Sequence, residues 1–159
     1  YRYGSTDLIR NYSNNQLFLD HKVIQNLDLS LQEVQETLAN ELLSSSDMAL
    51  VYTAHQMRNN EYTTDIPHII QNGYNMKRSG DLLMVPKPGY IDYSKTGSTH
   101  GSAQIYDTHI PLLFYGKGIK PGSTTVRTAI PDVAPTIATL LGIAFPNGTT
   151  GKPITPVLE

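Results

Sequence analysis

The stretch DLSLQEVQETLANELLSSSD, residues 28–47, is apolar at Leu31, Val34, Leu38 and Leu42 and has β-forming runs on either side. Steps of three and four residues line one face of a helix. Ser30, with Glu33 three residues later, reads as a capping box, and residues 44–47 end the helix. Before it, QLFLDH (16–21) predicts a strand; after it, MALVYTA (48–54) predicts a short buried one. A second, shorter helix is predicted over 65–72, with Thr64 or Asp65 as cap, Pro67 in its first turn and Gly73 as its stop. GDLLMVPKPGY (80–90) then reads as a strand entering a Pro-Gly turn. A helix with one apolar stripe must bury it against another element. The order strand, helix, strand, helix, strand therefore constrains the first half to an α/β layer, with helices packed on one sheet.

The second half has a different character. Residues 87–103 are rich in Gly, Ser, Pro and Tyr, a long connection of the kind that carries function. IPLLFYG (110–116) is a continuous apolar run, as expected of a strand covered on both faces. KGIKPGSTT reads as a turn and VRTAI (126–130) as one more strand. PDVAPTIATLLGI (131–143) predicts a helix capped by Asp132, with Pro135 in its first turn, Gly142 as its stop and Val133, Ile137, Leu140 and Leu141 as its buried stripe. The expected division is an α/β subdomain over 1–90 and a piece of core sheet over 91–159.

The chain has no cysteine, which excludes disulfides, thiolate zinc sites and cysteine nucleophiles. Its net charge of −2 over 159 residues gives no electrostatic case for nucleic acid or an anionic membrane surface. No apolar run approaches the roughly 20 residues of a membrane helix. There is no GxSxG elbow, GxGxxG fingerprint or Walker loop, and GKGIKPG joins a strand to an extended segment rather than to a helix. The tyrosines are scattered and not interleaved with Lys and Arg, so base stacking is unsupported. Ser, His and Asp all occur, but their spacing singles out no triad.

Five histidines remain. None forms an i, i+4 pair on a helix. His21, His55 and His68 read as surface or capping residues, and His109, at a strand entrance, as a structural or supporting one. His100 stands apart. It lies inside TGSTHGS, a turn of small residues that needs Gly and Ser for its bends but has no need of an imidazole. Imidazole binds metals and moves protons near neutral pH. The residues alone leave open whether His100 is a loop histidine or a ligand.

TGSTHGSAQIYDTHIPLLFYGKGIKPG, followed by TAIPDVAPTIATLLGIAFPNGTTGKPI, resembles the C-terminal part of the alkaline phosphatase superfamily. The likeness is to periplasmic bacterial alkaline phosphatases related to the type I phosphodiesterase/nucleotide pyrophosphatase group. NYSNNQLFLDHK and IIQNGYNMKRSGDLLMVPKPGYI are similar to the same subgroup, so the likeness spans most of the chain. The T-H-G turn together with the D-x-x-P-T helix carries it. The resemblance implies a core-sheet fragment with helices plus a small, ferredoxin-like α/β subdomain. It also implies a phosphate ester substrate, a Thr or Ser nucleophile that becomes phosphorylated, and two zinc ions flanking that nucleophile. The family's last protein ligand to the second zinc falls on His100. No residue here matches the nucleophile or the other ligands, which the family carries in earlier segments. Asp20-His21 is not the family's Asp-His metal pair, because LFLDHKVI matches the segment after that pair.

A C-terminal portion of an exported, periplasmic or secreted phosphomonoesterase is therefore expected, inactive and poor in zinc when isolated. Its apolar sheet edge would favour association between copies. The alternatives are a phosphodiesterase, nucleotide pyrophosphatase or sulfatase of the same superfamily, which share the terminal histidine, or a non-catalytic α/β interaction module.

Overall fold

The computed structural model describes residues 7–44, 47–90 and 101–158. The chain separates into two compact units, Tyr1–Ile110 and Pro111–Glu159.

A β-hairpin opens the first unit. β1 (Ile9–Ser13) and β2 (Gln16–Leu19) pair antiparallel across Asn14 and Asn15, both left-handed with φ of 51° and 55°. Two successive left-handed residues match the twist of a hairpin, and Asn tolerates that region better than other non-glycine residues. β1 adds to the expected strands. All five of its residues are exposed, so no apolar alternation marks it in the sequence.

The strand expected over 16–21 ends at Leu19, because Asp20 turns the chain into α1 (His21–Asn26). Its carboxylate accepts from the Lys22 N–H at 3.0 Å and the Val23 N–H at 3.1 Å, an N-cap. α2 (Leu31–Ser44) is the helix of the apolar stripe, with Val34 fully buried. β3 (Met48–Thr53) stops one residue before the expected strand end, and Ala54–Asn59 forms α3. Thr53 and Gln56 make a reciprocal capping box: Thr53 Oγ1 accepts from the Gln56 N–H at 3.1 Å, and Gln56 Oε1 from the Thr53 N–H at 2.9 Å. α4 (Asp65–Gly73) and β4 (Leu82–Pro86) fall where predicted.

The sheet order is β1-β2-β4-β3, antiparallel throughout. Both β2 and β3 run against β4. They therefore point the same way with β4 between them, the split β-α-β arrangement of ferredoxin-like layers. The fold class is α/β, as the alternation predicts. All five residues of β4 are buried, as a central strand covered on both faces requires. Leu82 and Met84 meet Leu17, Leu19, Ile24, Val34 and Val51 in the main core, under α1 and α2. Leu83 and Val85 alternate away from it and share a cleft with Ile69 and Ile70 of α4.

Between Ala103 and Ile110, α5 (Ile105–Thr108) makes a single turn. The runs expected as strands over 110–116 and 126–130 form no strand, and Ile130 opens a 3-10 turn instead. Leu113 is 89% exposed and Tyr115 fully so. Apolar content alone does not make a strand. Its backbone needs a neighbouring ladder, and among the described residues none pairs with these runs. A 3-10 turn (Ile130–Asp132) leads into α6 (Val133–Leu141), which stops at Gly142 in the left-handed conformation, φ 64°. α7 (Thr155–Leu158) closes the unit.

Candidate functional site

His100 lies outside the described residues, and the structure enters its turn one residue later, at Gly101. Gly101 has φ of 113°, a conformation that side-chain-bearing residues rarely adopt. Next, the Asp107 carboxylate accepts from both the Ser102 hydroxyl and the Ser102 N–H, so α5 holds the loop's exit. Tyr106 Oη accepts from the Gly89 N–H at 3.0 Å. Gln104 Nε2 reaches the Pro86 carbonyl at 3.4 Å. Chain on both sides of residues 91–100 is thus tied together beyond the end of β4. Gly101, Ser102 and Ala103 also line the cleft of about 220 Å³ beside α4 and β4.

The D-x-x-P-T motif is Asp132, Pro135 and Thr136. It holds the end of the chain in place. Asp132 accepts from the Ala129 N–H through Oδ2 and from the Lys152 N–H through Oδ1, each at 2.8 Å. The N–H of Lys152 first, then that of Ala129, keep this carboxyl below the usual carboxylate range, against a small opposing effect of burial. Thr136 is fully buried. Its hydroxyl donates to the Asp132 carbonyl at 2.6 Å and accepts from the Ile154 N–H at 2.9 Å. Gly151 sits so close to Pro131 that a Cβ there would overlap its carbonyl. Asp132 and Thr136 thus clamp residues 152–154 onto the start of α6.

The remaining histidines divide by environment. His68 Nδ1 donates to the Tyr62 carbonyl at 2.7 Å, and His55 lies in the first turn of α3 beside Asn59. His109 is exposed at the end of α5. His21 joins a network that the sequence does not announce. Its Nε2 lies 2.8 Å from Oδ1 of Asp81, which is only 8% exposed. The same carboxylate accepts from the Leu19 N–H at 2.8 Å and from Gln35 Nε2 at 2.9 Å. The backbone of Asp81 accepts from Ala54 N–H and donates to the Leu17 carbonyl. One residue thus ties together β2, α1, α2 and the start of α3. Gln35, buried to 1%, falls four residues after Leu31 and three before Leu38, so a polar residue on the apolar stripe was its signal. Asp81 has a weaker one, a carboxylate directly before the apolar run LLMVP.

Among the described residues no three His, Cys, Asp or Glu side chains gather to hold a metal ion. None of the described helices is long and apolar enough to cross a membrane.

No protein-family model matches the chain. Individual relatives do. The chain is 39% identical, over 99% of its length, to "Alkaline phosphatase PafA" of Elizabethkingia meningoseptica. It is 38% identical, over 99%, to a "Calcium-transporting ATPase" of Myroides odoratus, and 32% identical, over 92%, to "Alkaline phosphatase PhoV" of Synechococcus elongatus. It spans only 29%, 29% and 26% of those proteins. The chain is a relative of the alkaline phosphatases and corresponds to a portion of them. The particular likeness in three dimensions is to PafA: its 1.7 Å crystal structure superposes with a TM-score of 0.91 at 38% identity, covering 99% of this chain and 31% of that one.

Proposed function

We propose that the chain is the C-terminal portion of an alkaline phosphatase that hydrolyses phosphate monoesters through a phosphorylated Thr or Ser. The nucleophile and most metal ligands would lie in polypeptide preceding Tyr1. In this reading His100 holds the second of two zinc ions through a ring nitrogen, and the ions supply charge neutralisation at phosphorus. Residues 1–90 form the subdomain and residues 91–159 contribute to the core. The protein would be exported. The observation that carries the proposal is the likeness to PafA along 99% of the chain, in sequence and in backbone.

The name of the Myroides relative fits the same chemistry, since hydrolysis of ATP is also attack on phosphorus. The described residues support the reading in one respect. The Asp107–Ser102 and Tyr106–Gly89 bonds fix both approaches to the T-H-G turn, and a metal ligand must be held within a few tenths of an ångström.

The test is turnover of p-nitrophenyl phosphate by the intact protein. His100→Ala is expected to lower kcat/KM by about a thousandfold, the scale of losing charge stabilisation at the reacting group. Unchanged turnover would exclude a role at the reacting phosphate. Comparison of monoester, diester and sulfate ester substrates on the same protein decides the chemistry: a diester or sulfate ester preferred over the monoester would replace the monoesterase reading. The 159-residue chain alone is expected to show no turnover.

A further inference from the structure

The chain carries a net charge of −2, yet five of its 12 Lys and Arg residues line one cleft of about 690 Å³ in the first unit. Arg10 comes from β1, Lys22 from α1, Arg58 from α3, and Lys77 and Arg78 from the loop before β4. Chance scatter over a slightly acidic surface would not concentrate cations in this way.

Two carboxylates, Asp20 and Asp81, line the same cleft, so five cations against two anions leave it three positive charges in excess; Asp20 caps α1 through Oδ1, and Asp81 is hydrogen-bonded by Leu19, Gln35 and His21. Among the described residues none of the five cations lies within ion-pair distance of a carboxylate.

Arg58 and the backbone of the turn that carries Lys77 and Arg78 are held in place. Arg58 Nε donates to the Ala54 carbonyl at 3.1 Å, which orients the guanidinium and leaves its terminal nitrogens for a ligand. The 75–79 turn is closed by Asn75 Oδ1 accepting from the Lys77 N–H and Ser79 Oγ accepting from the Asn75 N–H. Gly80 then fixes this turn to β2. A Cβ there would lie 2.8 Å from the Leu17 carbonyl, so only glycine allows so close an approach, and its N–H donates to Gln16 Oε1 at 2.7 Å.

We infer that this cleft binds a small soluble polyanion, a compound bearing several phosphate or sulfate groups, such as a condensed phosphate. Three planar guanidiniums suit multi-oxygen anions such as phosphate and sulfate, which they grip through paired N–H groups. The volume lies within the ordinary range for a small-molecule site. A single phosphate would meet only some of cations that converge from four elements; several linked anionic groups would meet them together.

The test is calorimetric titration of myo-inositol hexasulfate, a polyanion without phosphate, into the full chain at low salt in the presence of EDTA. Binding is expected, and about tenfold weaker at 0.3 M NaCl, since exposed charges are screened. Arg78→Ala with Lys77→Ala, and separately Arg58→Gln, should each weaken it about tenfold, while Arg78→Lys, which keeps the charge and loses the paired N–H groups, should weaken it by less than that. Lys117→Gln with Lys120→Gln, in the second unit, should leave it unchanged. Thermal melts of each variant establish that it folds. Absence of binding at millimolar probe, loss of binding in EDTA, or equal weakening by the Lys117/Lys120 control would overturn the assignment.

Discussion

Asp81 is the side chain on which the first unit most depends. Its carboxylate and backbone join four elements, and removing it strands the Leu19 N–H and the Gln35 amide in a buried place. A buried donor left without a partner costs about 1–3 kcal/mol. Asp81→Ala should therefore lower unfolding free energy by roughly 3 kcal/mol, measured by urea titration. Asp81→Asn keeps the shape and should cost about half as much. Asp132 makes a pH-dependent contribution. Backbone donors from Lys152 and Ala129 hold its folded-state carboxyl below the unfolded value. That stabilisation is complete above roughly pH 4, the ordinary aspartate range, and fades as pH falls through the lower folded value. Asp132→Asn should flatten the loss of stability below about pH 4; a melting curve that tracks wild type throughout acid would contradict this.

At the scale of elements, legibility followed the locality of the cause. The positions of α2, α4, α6 and β4 were readable because their apolar spacing, turn residues and stops lie within their own segments, but the stripe expected on α6 was not the buried one: Ile137 and Leu141 are exposed, and Pro135, Thr136 and Ala138 are buried instead. α3 carried an equally local signal, Thr53 with Gln56, but it was hidden behind the β-forming run MALVYT. The Asn14-Asn15 hairpin turn was likewise written in the chain, while its exposed partner β1 was not. The runs at 110–116 and 126–130 mislead for the opposite reason. Apolar residues specify burial, whereas a strand also needs a ladder from elsewhere in the chain. The clamp on α6 is testable here. Gly151→Ala forces the backbone off Pro131 and should destabilise the second unit by about 1–3 kcal/mol, read from its thermal transition.

For the whole molecule, the two units differ in how they bury apolar surface. The first has a closed core under α1 and α2. The second leaves Leu113, Val126, Ile130, Leu141 and Ile143 more than half exposed. Exposed apolar surface on this scale drives association. The 159-residue chain should therefore associate with rising concentration and bind 8-anilinonaphthalene-1-sulfonate, and sedimentation velocity should show mass growing with loading. A monomer at every concentration with no dye binding would contradict this. The candidate site was legible in the sequence only as a family pattern. A T-H-G turn singles out His100, but the other donors of a metal centre are not encoded nearby, and no three potential ligands meet among the described residues.

Whether His100 is a ligand can be seen directly. Crystals of the intact protein, measured at the zinc absorption edge, should show an anomalous peak about 2.0–2.1 Å from a ring nitrogen of His100. A map with that imidazole ordered and no metal within coordination distance would contradict the account.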